Sequence, residues 1–571
     1  MGGNRFAGYE RKDVLKDLTA GIIVGIVAIP LGMAFAIASG VKPEYGLYTT
    51  VIAGILIAIF GGSRFQIGGP TGAFIPLLLA ISIAYGYENL LIAGLLAGIF
   101  LLLMGLFRLG GLIKYIPRPV TIGFTSGIAI IIFTGQLPGF LGLKDMEKHE
   151  FFHENMLEMI HKIGTMNMYS VLIALIGLAL LLLIPRINKK VPALLVAIVI
   201  PTVISLWFFP GKVATIGSVY GGIPQSLPPF KIPTLEIDNV MNLIGPAFAI
   251  AVLGGIESLL SAVVADGMSG KRHNSNRELI GQGIANIVTP LFGGIPATGA
   301  IARTATNIKS GAVSPLSGIF HGVVVLGTLL LFAPYASYIP IAAMAPILMM
   351  VAWNMSERHE FLAILKLKTG DSLVLVITFM LTVLFDLTTA VEIGLLLAMV
   401  LFVSRMGKQL EVQKSLPDED HRGKMSSNPL SQGNDCPQLG IYTIDGPLFF
   451  GAAHQFQKEL IDSKPRVLLL RMGRVPFIDA TGQNHLQEII DQFLRKDGIV
   501  LISGLKGQPL GVMQKSGLYD KIGGSNHIYQ HTGEALNAGL TLINKERCHG
   551  CPQRIFKECT NFATRPIKEA Q

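Results

Sequence analysis

Gly68-Gly69-Pro70-Thr71-Gly72-Ala73 and Gly293-Gly294-Ile295-Pro296-Ala297-Thr298-Gly299-Ala300 are two versions of one short design, one in each half of the chain. Each puts a glycine pair and a proline ahead of Thr-Gly-Ala, and each sits between apolar runs. Glycine and proline break or start helices, so each copy predicts an interrupted apolar segment that resumes as a short helix. Paired interruptions in corresponding positions of two halves are the sequence mark of a transporter's binding site. A chance echo in a chain with 65 glycines is the competing explanation.

Composition points the same way. The chain has 571 residues, 51% of them hydrophobic and only 15% charged. Soluble domains carry about 25% charged residues, so a polytopic membrane protein is expected. The apolar runs stop near Ser404, after which the composition is that of a soluble domain. Net charge is +9, but the basic residues sit in loops between apolar runs, so no nucleic-acid surface is expected. Arg5, Arg11, Lys12 and Lys16 precede a first run too long for a signal-peptide core, and no cleavable leader is expected.

Apolar runs bounded by Gly, Pro or charge fall at 14–38, 43–60, 71–84, 88–107, 118–138, 168–184 and 190–208, then at 241–265, 277–292, 299–309, 314–333, 338–353, 370–385 and 387–409. The third and tenth, which carry the two motifs, are too short to cross a ~30 Å hydrocarbon core as helices. Seven spans per repeat is an odd number, so the two repeats would be inverted relative to each other. Loop charge supports the count. Arg64, Arg108, Lys114, Arg118, Arg186, Lys189, Lys190, Lys271, Arg272, Arg277, Lys309, Arg358, Lys366 and Lys368 fall on one side. The other side holds Lys42, Lys144, Lys148, Lys162, Lys212 and Lys231. The richer side, with both termini, is expected in the cytoplasm. The organisation read from this is a cytoplasmic N-terminus at 1–13, a transport domain at 14–410 with repeats at 14–208 and 241–410, and a flexible polar linker at 411–435. A small α/β domain at 436–545 and a cysteine-containing tail at 546–571 follow. Strands are expected at 441–444, 467–472 and 499–502, and helices at 452–463, 481–496 and 508–516.

Two half-helices whose N-termini meet near the midplane aim unpaired N–H groups and about half a positive charge each at one point, which attracts an anion. Thr71, Gly72, Ala73, Thr298, Gly299, Ala300, Ile301 and Ala302 would line that point. Close helix packing through small residues is the other reading. Ionisable groups within apolar spans are expensive and so are functional candidates. Glu257 sits mid-span with Ser261 one turn along on the same face. Low dielectric favours the protonated carboxyl, which suits proton–anion cotransport; a structural hydrogen bond is the alternative. Arg303, just after the second half-helix start, either attracts the anion, pairs with Glu257 or snorkels toward water. His321 reads as a packed core residue. No hydrolytic or nucleotide-binding motif is present, so the chain does not read as an enzyme.

At these residues the chain resembles the sulfate permease (SulP) family of anion transporters. Ala28-Ile29-Pro30-Leu31-Gly32-Met33-Ala34-Phe35-Ala36, followed by Pro43-Glu44-Tyr45-Gly46-Leu47-Tyr48, looks like the family's opening signature, and Gly293–Ala305 looks like its tenth segment. The resemblance implies a fourteen-span, 7+7 inverted-repeat fold shared with uracil permeases, a core domain and a gate domain, and elevator-like motion. It also implies an anion held by Thr71, Gly72, Ala73, Ala300, Ile301 and Ala302 beside Glu257, and a homodimer. Many members carry Gln where this chain has Leu31, which puts a polar contact there in doubt. Glu257 and Ile301, where sodium-coupled relatives tend to have Asp and a hydroxyl, lean toward protons.

The tail resembles a STAS domain. Asp479-Ala480-Thr481-Gly482 matches the loop that opens its phospho-acceptor helix, with Thr481 at the acceptor position; an unmodified threonine is the favoured reading. Beyond it, Cys548-His549-Gly550-Cys551 and Cys559 form a Cys-x2-Cys-x7-Cys array. Reduced free thiols are the first reading. Zinc or a cluster, with His549 or Cys436 as the fourth ligand, is the second. No other cofactor is expected. Taken together, the expected protein is an inner-membrane secondary transporter of small anions, sulfate with protons foremost, with cytoplasmic partners reached through the STAS domain. Bicarbonate or dicarboxylate transport, with protons or sodium, and an uncoupled channel are the alternatives. An anion-sensing signalling protein is a further one.

Overall fold

The computed structural model describes residues 5–6, 8–111, 116–188, 191–233, 237–385, 387–414, 416–417, 425–426, 436–451, 465–549, 551, 555–556 and 559. It comprises two compact units, Met1–Ala398 and Met399–Gln571.

In the first unit every apolar run has a helical counterpart. Helix α1 covers Arg11–Ala38, and α2 covers Pro43–Phe60 with proline at its first position, where no N–H is needed. A two-residue strand β1 (Gly68–Gly69) and a single turn at Gly72–Phe74 lead into α3, Ile75–Leu106. Helix α3 is two helices end to end. Gly86 breaks it with φ of 81°, a conformation glycine adopts without steric cost. Then follow α4 (Arg118–Gly135), α5 (Met168–Ile187) and α6 (Ala193–Phe208). The second half repeats the plan with α7 (Ile237–Ser269), α8 (Ser275–Val288), β2 (Thr298–Gly299) and α9 (Ile301–Lys309). It ends with α10 (Leu316–Ala336), α11 (Ile341–Met355), α12 (Gly370–Leu384) and α13 (Leu387–Gly407). Eight helices among the described residues are long and apolar enough to cross a membrane. Leu183, Leu331, Phe332 and Leu396 remain exposed on them, as side chains facing lipid do.

The helices pack as two groups drawn from both halves. Helices α1, α2, α3, α7, α8 and α10 form one, and α4, α5, α6, α11 and α12 the other, with sparser packing between the groups. Within the first group, α3 and α8 touch backbone to backbone. A Cβ on Gly98 would lie 2.6 Å from the Ile287 nitrogen, and one on Gly283 2.6 Å from the Leu102 nitrogen. Small residues permit this approach, which substitutes for the hydrophobic effect that lipid removes.

Two buried carboxylates tie loops to this group. Asp17 accepts from the N–H groups of Val313 and Ser314 at 2.7 and 3.1 Å and from the Ser314 hydroxyl at 2.6 Å. Glu278 accepts from Gly62 N–H at 2.8 Å, Ser63 N–H at 3.0 Å and the Gln282 amide at 3.0 Å. Glu278→Ala strands two buried backbone N–H donors and the Gln282 amide, at a cost on the order of 3 kcal/mol. The expected result is a clear drop in the melting temperature of the detergent-solubilised protein. Glu278→Gln, which keeps an acceptor, should lose about half as much.

The second unit is a five-stranded sheet of order β3-β4-β5-β6-β7, with β3 (Glu411–Lys414), β4 (Leu439–Asp445), β5 (Val467–Arg474), β6 (Ile499–Ser503) and β7 (Ile528–Tyr529). Strands β4 to β7 are parallel and β3 runs antiparallel at the edge. Alternation along β5 sends Leu468, Leu470 and Met472 to one core and Val467 and Leu469 to another. The first core is closed by α14 (Ala480–Leu494) and α15 (Gly507–Lys515), the second by α16 (Thr532–Leu542). Residues 411–414, expected as the start of a flexible polar linker, form a strand instead. Glu411–Lys414 pair with Asp445–Tyr442 because an edge strand satisfies backbone groups that a polar coil would leave to water. Most of 415–435, and the helix expected at 452–463, lie outside the described residues.

Candidate functional site

The two motif segments cross. Gly68 pairs with Gly299 and Gly69 with Thr298 in an antiparallel register, and the Ala300 N–H donates to the Ile67 carbonyl at 2.9 Å. Around this clasp, hydroxyls and amides take up the remaining polar groups. The Gly299 N–H donates to Ser258 Oγ at 2.9 Å, and Thr298 Oγ1 to the Gly254 carbonyl at 2.9 Å. Gln66 donates to the Ser258 carbonyl at 3.1 Å and accepts from Ser261 Oγ at 3.0 Å. The Ile67 N–H donates to Thr304 Oγ1 at 3.1 Å, and Asn307 donates to the Phe65 carbonyl at 3.0 Å. Every one of these side chains except the Gln66 amide (3% exposed) is fully buried, so the network is expensive to break.

Arg303 locks the crossing from the second half to the first. Its guanidinium lies over Gly69, whose missing Cβ makes the room, and Nη2 donates to the Pro70 carbonyl. Arg303 is 2% exposed, and its Nη1 has no partner among the described residues.

Past the clasp each segment turns helical, and its first N–H groups have nothing within the helix to bond. Among the described residues the N–H groups of Gly72, Ala73, Ile301 and Ala302 donate to no protein acceptor. Beside them the Thr71 hydroxyl donates to Glu257 Oε2 at 2.9 Å, from α7. Glu257 is half-buried, while Ile301 and Ala302 are exposed. The facing surface comes from α1, α4 and α11. A Cβ on Gly72 would come within 3.0 Å of Met355 Sδ, 3.4 Å of Ile132 Cδ1 and 3.6 Å of Phe35 Cε1. The result is a cluster of two positive helix ends, one hydroxyl and one carboxyl, set beside Met355 and Ile132 of the opposing helix group and Phe35 of its own.

The structure therefore brings Thr71, Gly72, Ala73, Ile301, Ala302, Arg303 and Glu257 together. It corrects four expectations. Gly299 and Ala300 do not offer N–H groups to a ligand, because strand pairing and Ser258 consume them. Ser261, expected to share proton coupling with Glu257, bonds instead to Gln66 and, at 3.2 Å, to Thr304. Arg303 neither snorkels nor forms an ion pair with Glu257 among the described residues; its charge is held by the clasp. Gln66, Ser258, Thr304 and Asn307 were not singled out in the sequence, although Ser258/Ser261 and Thr304/Asn307 each repeat a polar residue at i, i+3 in apolar surroundings. His321 is fully buried beside Gly54, with neither ring nitrogen bonded among the described residues. Thr481 is the second residue of α14, whose cap Asp479 accepts from the Gly482 N–H at 2.7 Å.

Crossed, broken helices presenting free N–H groups inside an apolar bundle define a membrane transporter rather than an enzyme. The chain matches the sulfate permease family over residues 14–378 and the STAS domain over 432–535. It belongs to the sulfate permease family and is an anion transporter with a C-terminal STAS domain. Among its relatives, "Putative sulfate transporter YvdB" of Bacillus subtilis (strain 168) is 54% identical over 93% of this chain and 98% of that protein. The bicarbonate transporter BicA of Picosynechococcus sp. is 32% identical over 90% of this chain and 92% of its own length. The overall structure of SLC26A9 superposes with a TM-score of 0.85 at 19% identity, over 95% of this chain and 92% of that one, which shows a shared fold. The transmembrane domain of a cyanobacterial BicA gives a TM-score of 0.60 at 30% identity, over 68% of this chain and 98% of that chain.

Proposed function

We propose that this protein is a secondary active transporter that carries sulfate together with protons into the cell. The observation that carries this reading is the Thr71 hydroxyl on Glu257 at 2.9 Å, beside four unpaired N–H groups. An ionised Glu257 repels an anion approaching the helix ends. A protonated one removes that repulsion and offers its own O–H, so proton and anion occupy the site together. Backbone N–H groups and the positive helix ends then hold the anion's oxygens.

The movement follows from the packing. The clasp fixes the site to one helix group, and the other group contributes only the apolar wall of Met355 and Ile132. Sliding the clasp-bearing group past that wall would carry the site from one side to the other, as an elevator does. Fourteen spans in two inverted repeats, cytoplasmic termini, an inner-membrane location and a homodimer belong to the same proposal, with orientation resting on loop charge. Relatives named as sulfate and as bicarbonate transporters make bicarbonate the second substrate to test.

Proteoliposomes with an imposed inward proton gradient decide between them. Gradient-driven accumulation of labelled sulfate is the expected result, with collapse of the gradient by an ionophore stopping it. Accumulation of bicarbonate without sulfate, or sulfate flux indifferent to the gradient, would overturn the substrate or the coupling respectively.

A further inference from the structure

Among the described residues no three His, Cys, Asp or Glu side chains come together to hold a metal ion, and the four cysteines are free thiols. A feature that the site leaves unused is a cavity of about 280 Å³ in the first unit, between the two helix groups. Ile37, Ile75 and Ala80 line it from α1 and α3, and Ile131, Ile132 and Val383 from α4 and α12. Its inner end adjoins the helix starts. Ile75 opens α3, and Ile132 is the residue that a Cβ on Gly72 would approach to 3.4 Å. Its rim carries Glu147, Lys148 and Glu150, from the connection between α4 and α5.

That connection is a built strap. A short helix at Phe152–Lys162 packs on α4 and α12, which fixes the strap to the second helix group. Asn155 closes its turn: it accepts from the His149 N–H at 3.1 Å and donates to the His149 carbonyl at 2.7 Å and the Phe151 carbonyl at 2.9 Å. The residue before this turn, Lys148, reaches the first helix group. Its Nζ donates to the Ile37 carbonyl at 3.0 Å. Ile37 lies in the last turn of α1, where carbonyls lack helical partners and the helix end is negative. No basic residue of α1 occupies that turn, so the ammonium comes from the strap. The contact therefore joins the two helix groups at the mouth of the cavity between them.

We propose that the strap is a gate on one side of the anion's path, with Lys148 as its latch. The inference rests on the sliding movement proposed above: two groups that slide cannot keep a fixed bond between them, so the contact of Lys148 with Ile37 breaks and re-forms in each cycle. While it holds, the strap roofs the cavity and keeps solvent from the helix starts on that side. Once it lets go, the cavity is the anion's route to Thr71 and Glu257. Lys148 is exposed, and a hydrogen bond open to water is weak enough to break repeatedly. It falls on the side with the sparser basic loops, so the gate faces away from the cytoplasm. Glu147 and Glu150 share the rim and offset the ammonium's charge, which suits the rim to closure and not to holding an anion.

The test uses full-length protein carrying Ala80→Cys, in nanodiscs, with a charged maleimide. Ala80 is half-buried in the cavity lining. Labelling is read on the peptide that carries position 80, which leaves the natural cysteines out of the count. Lys148→Met keeps the stem and removes donor and charge, and it should speed labelling by about fivefold or more. Lys148→Arg keeps donor and charge and should stay near the parent rate. Equal rates in the parent and in Lys148→Met overturn the latch. An equal rise in Lys148→Arg marks damage to the strap and overturns it as well. If Lys148→Met does not fold, Asn155→Ala decides, because it frees the turn beside Lys148 without touching the ammonium. Faster labelling is expected there too, and an unchanged rate overturns the gate. Labelling needs neither sulfate nor a gradient, so this proposal and the transport reading fail separately.

Discussion

Glu257→Gln is expected to abolish uphill sulfate accumulation while leaving sulfate–sulfate exchange intact. Glutamine keeps the shape and an oxygen able to accept the Thr71 hydroxyl, so the 2.9 Å contact survives. What it loses is the ability to release and rebind a proton. A gradient of about one pH unit is worth ~1.4 kcal/mol per proton, or about tenfold accumulation at steady state. The variant should fall to the ratio set by anion equilibrium alone, with or without the gradient. Exchange flux separates coupling from damage. If Glu257 served only to position α3 through Thr71, glutamine would retain gradient-driven uptake and Glu257→Ala would lose exchange and accumulation together. Wild-type accumulation by the glutamine variant would end the coupling assignment.

The second large effect concerns the crossing. Gly299→Ala puts a methyl group where the Gln66 side chain lies. Gln66 is the end of a flexible chain, but it is held at both poles by Ser258 and Ser261. Displacing it leaves buried donors and acceptors without partners at about 1–3 kcal/mol each. Expected outcomes are poor yield of folded protein and loss of exchange by an order of magnitude or more. A double-mutant cycle makes the cause specific: adding Gln66→Ala relieves the clash, so the double variant should be less impaired than the sum of the two singles. Strict additivity would show that the methyl group acts elsewhere. Gly72→Ala is the useful comparison, because its Cβ meets Met355 and Ile132 across the two helix groups rather than within one. It should slow exchange without lowering yield.

The sequence carried a large part of this. Hydrophobic runs are set by local composition, so the helices of the first unit appeared where apolar segments ended in Gly, Pro or charge. The break at Gly86 and the interruptions before Thr71 and Ile301 were legible for the same reason: backbone-specific residues act locally. Glu257 and Arg303 stood out because a charge in an apolar span has no ordinary explanation. In the second unit β4, β5 and β6 showed by their alternation, whereas two-residue β7 and the edge strand β3 did not, since pairing with neighbours and not intrinsic preference holds them.

What the sequence could not decide was which groups are spent on structure and which stay free. Gly299, Ala300, Ser261 and Arg303 looked like ligand-facing residues, and the crossing of two strands takes up most of their hydrogen-bonding capacity. That pairing joins residues more than 200 positions apart, and a hydrogen bond's donor and acceptor are matched by distance in space, which local composition does not encode. Sequence determined the segments, their breaks and the rare polar residues inside them; tertiary structure alone decided how those residues divide the available partners, because each N–H and each hydroxyl hydrogen can be given only once.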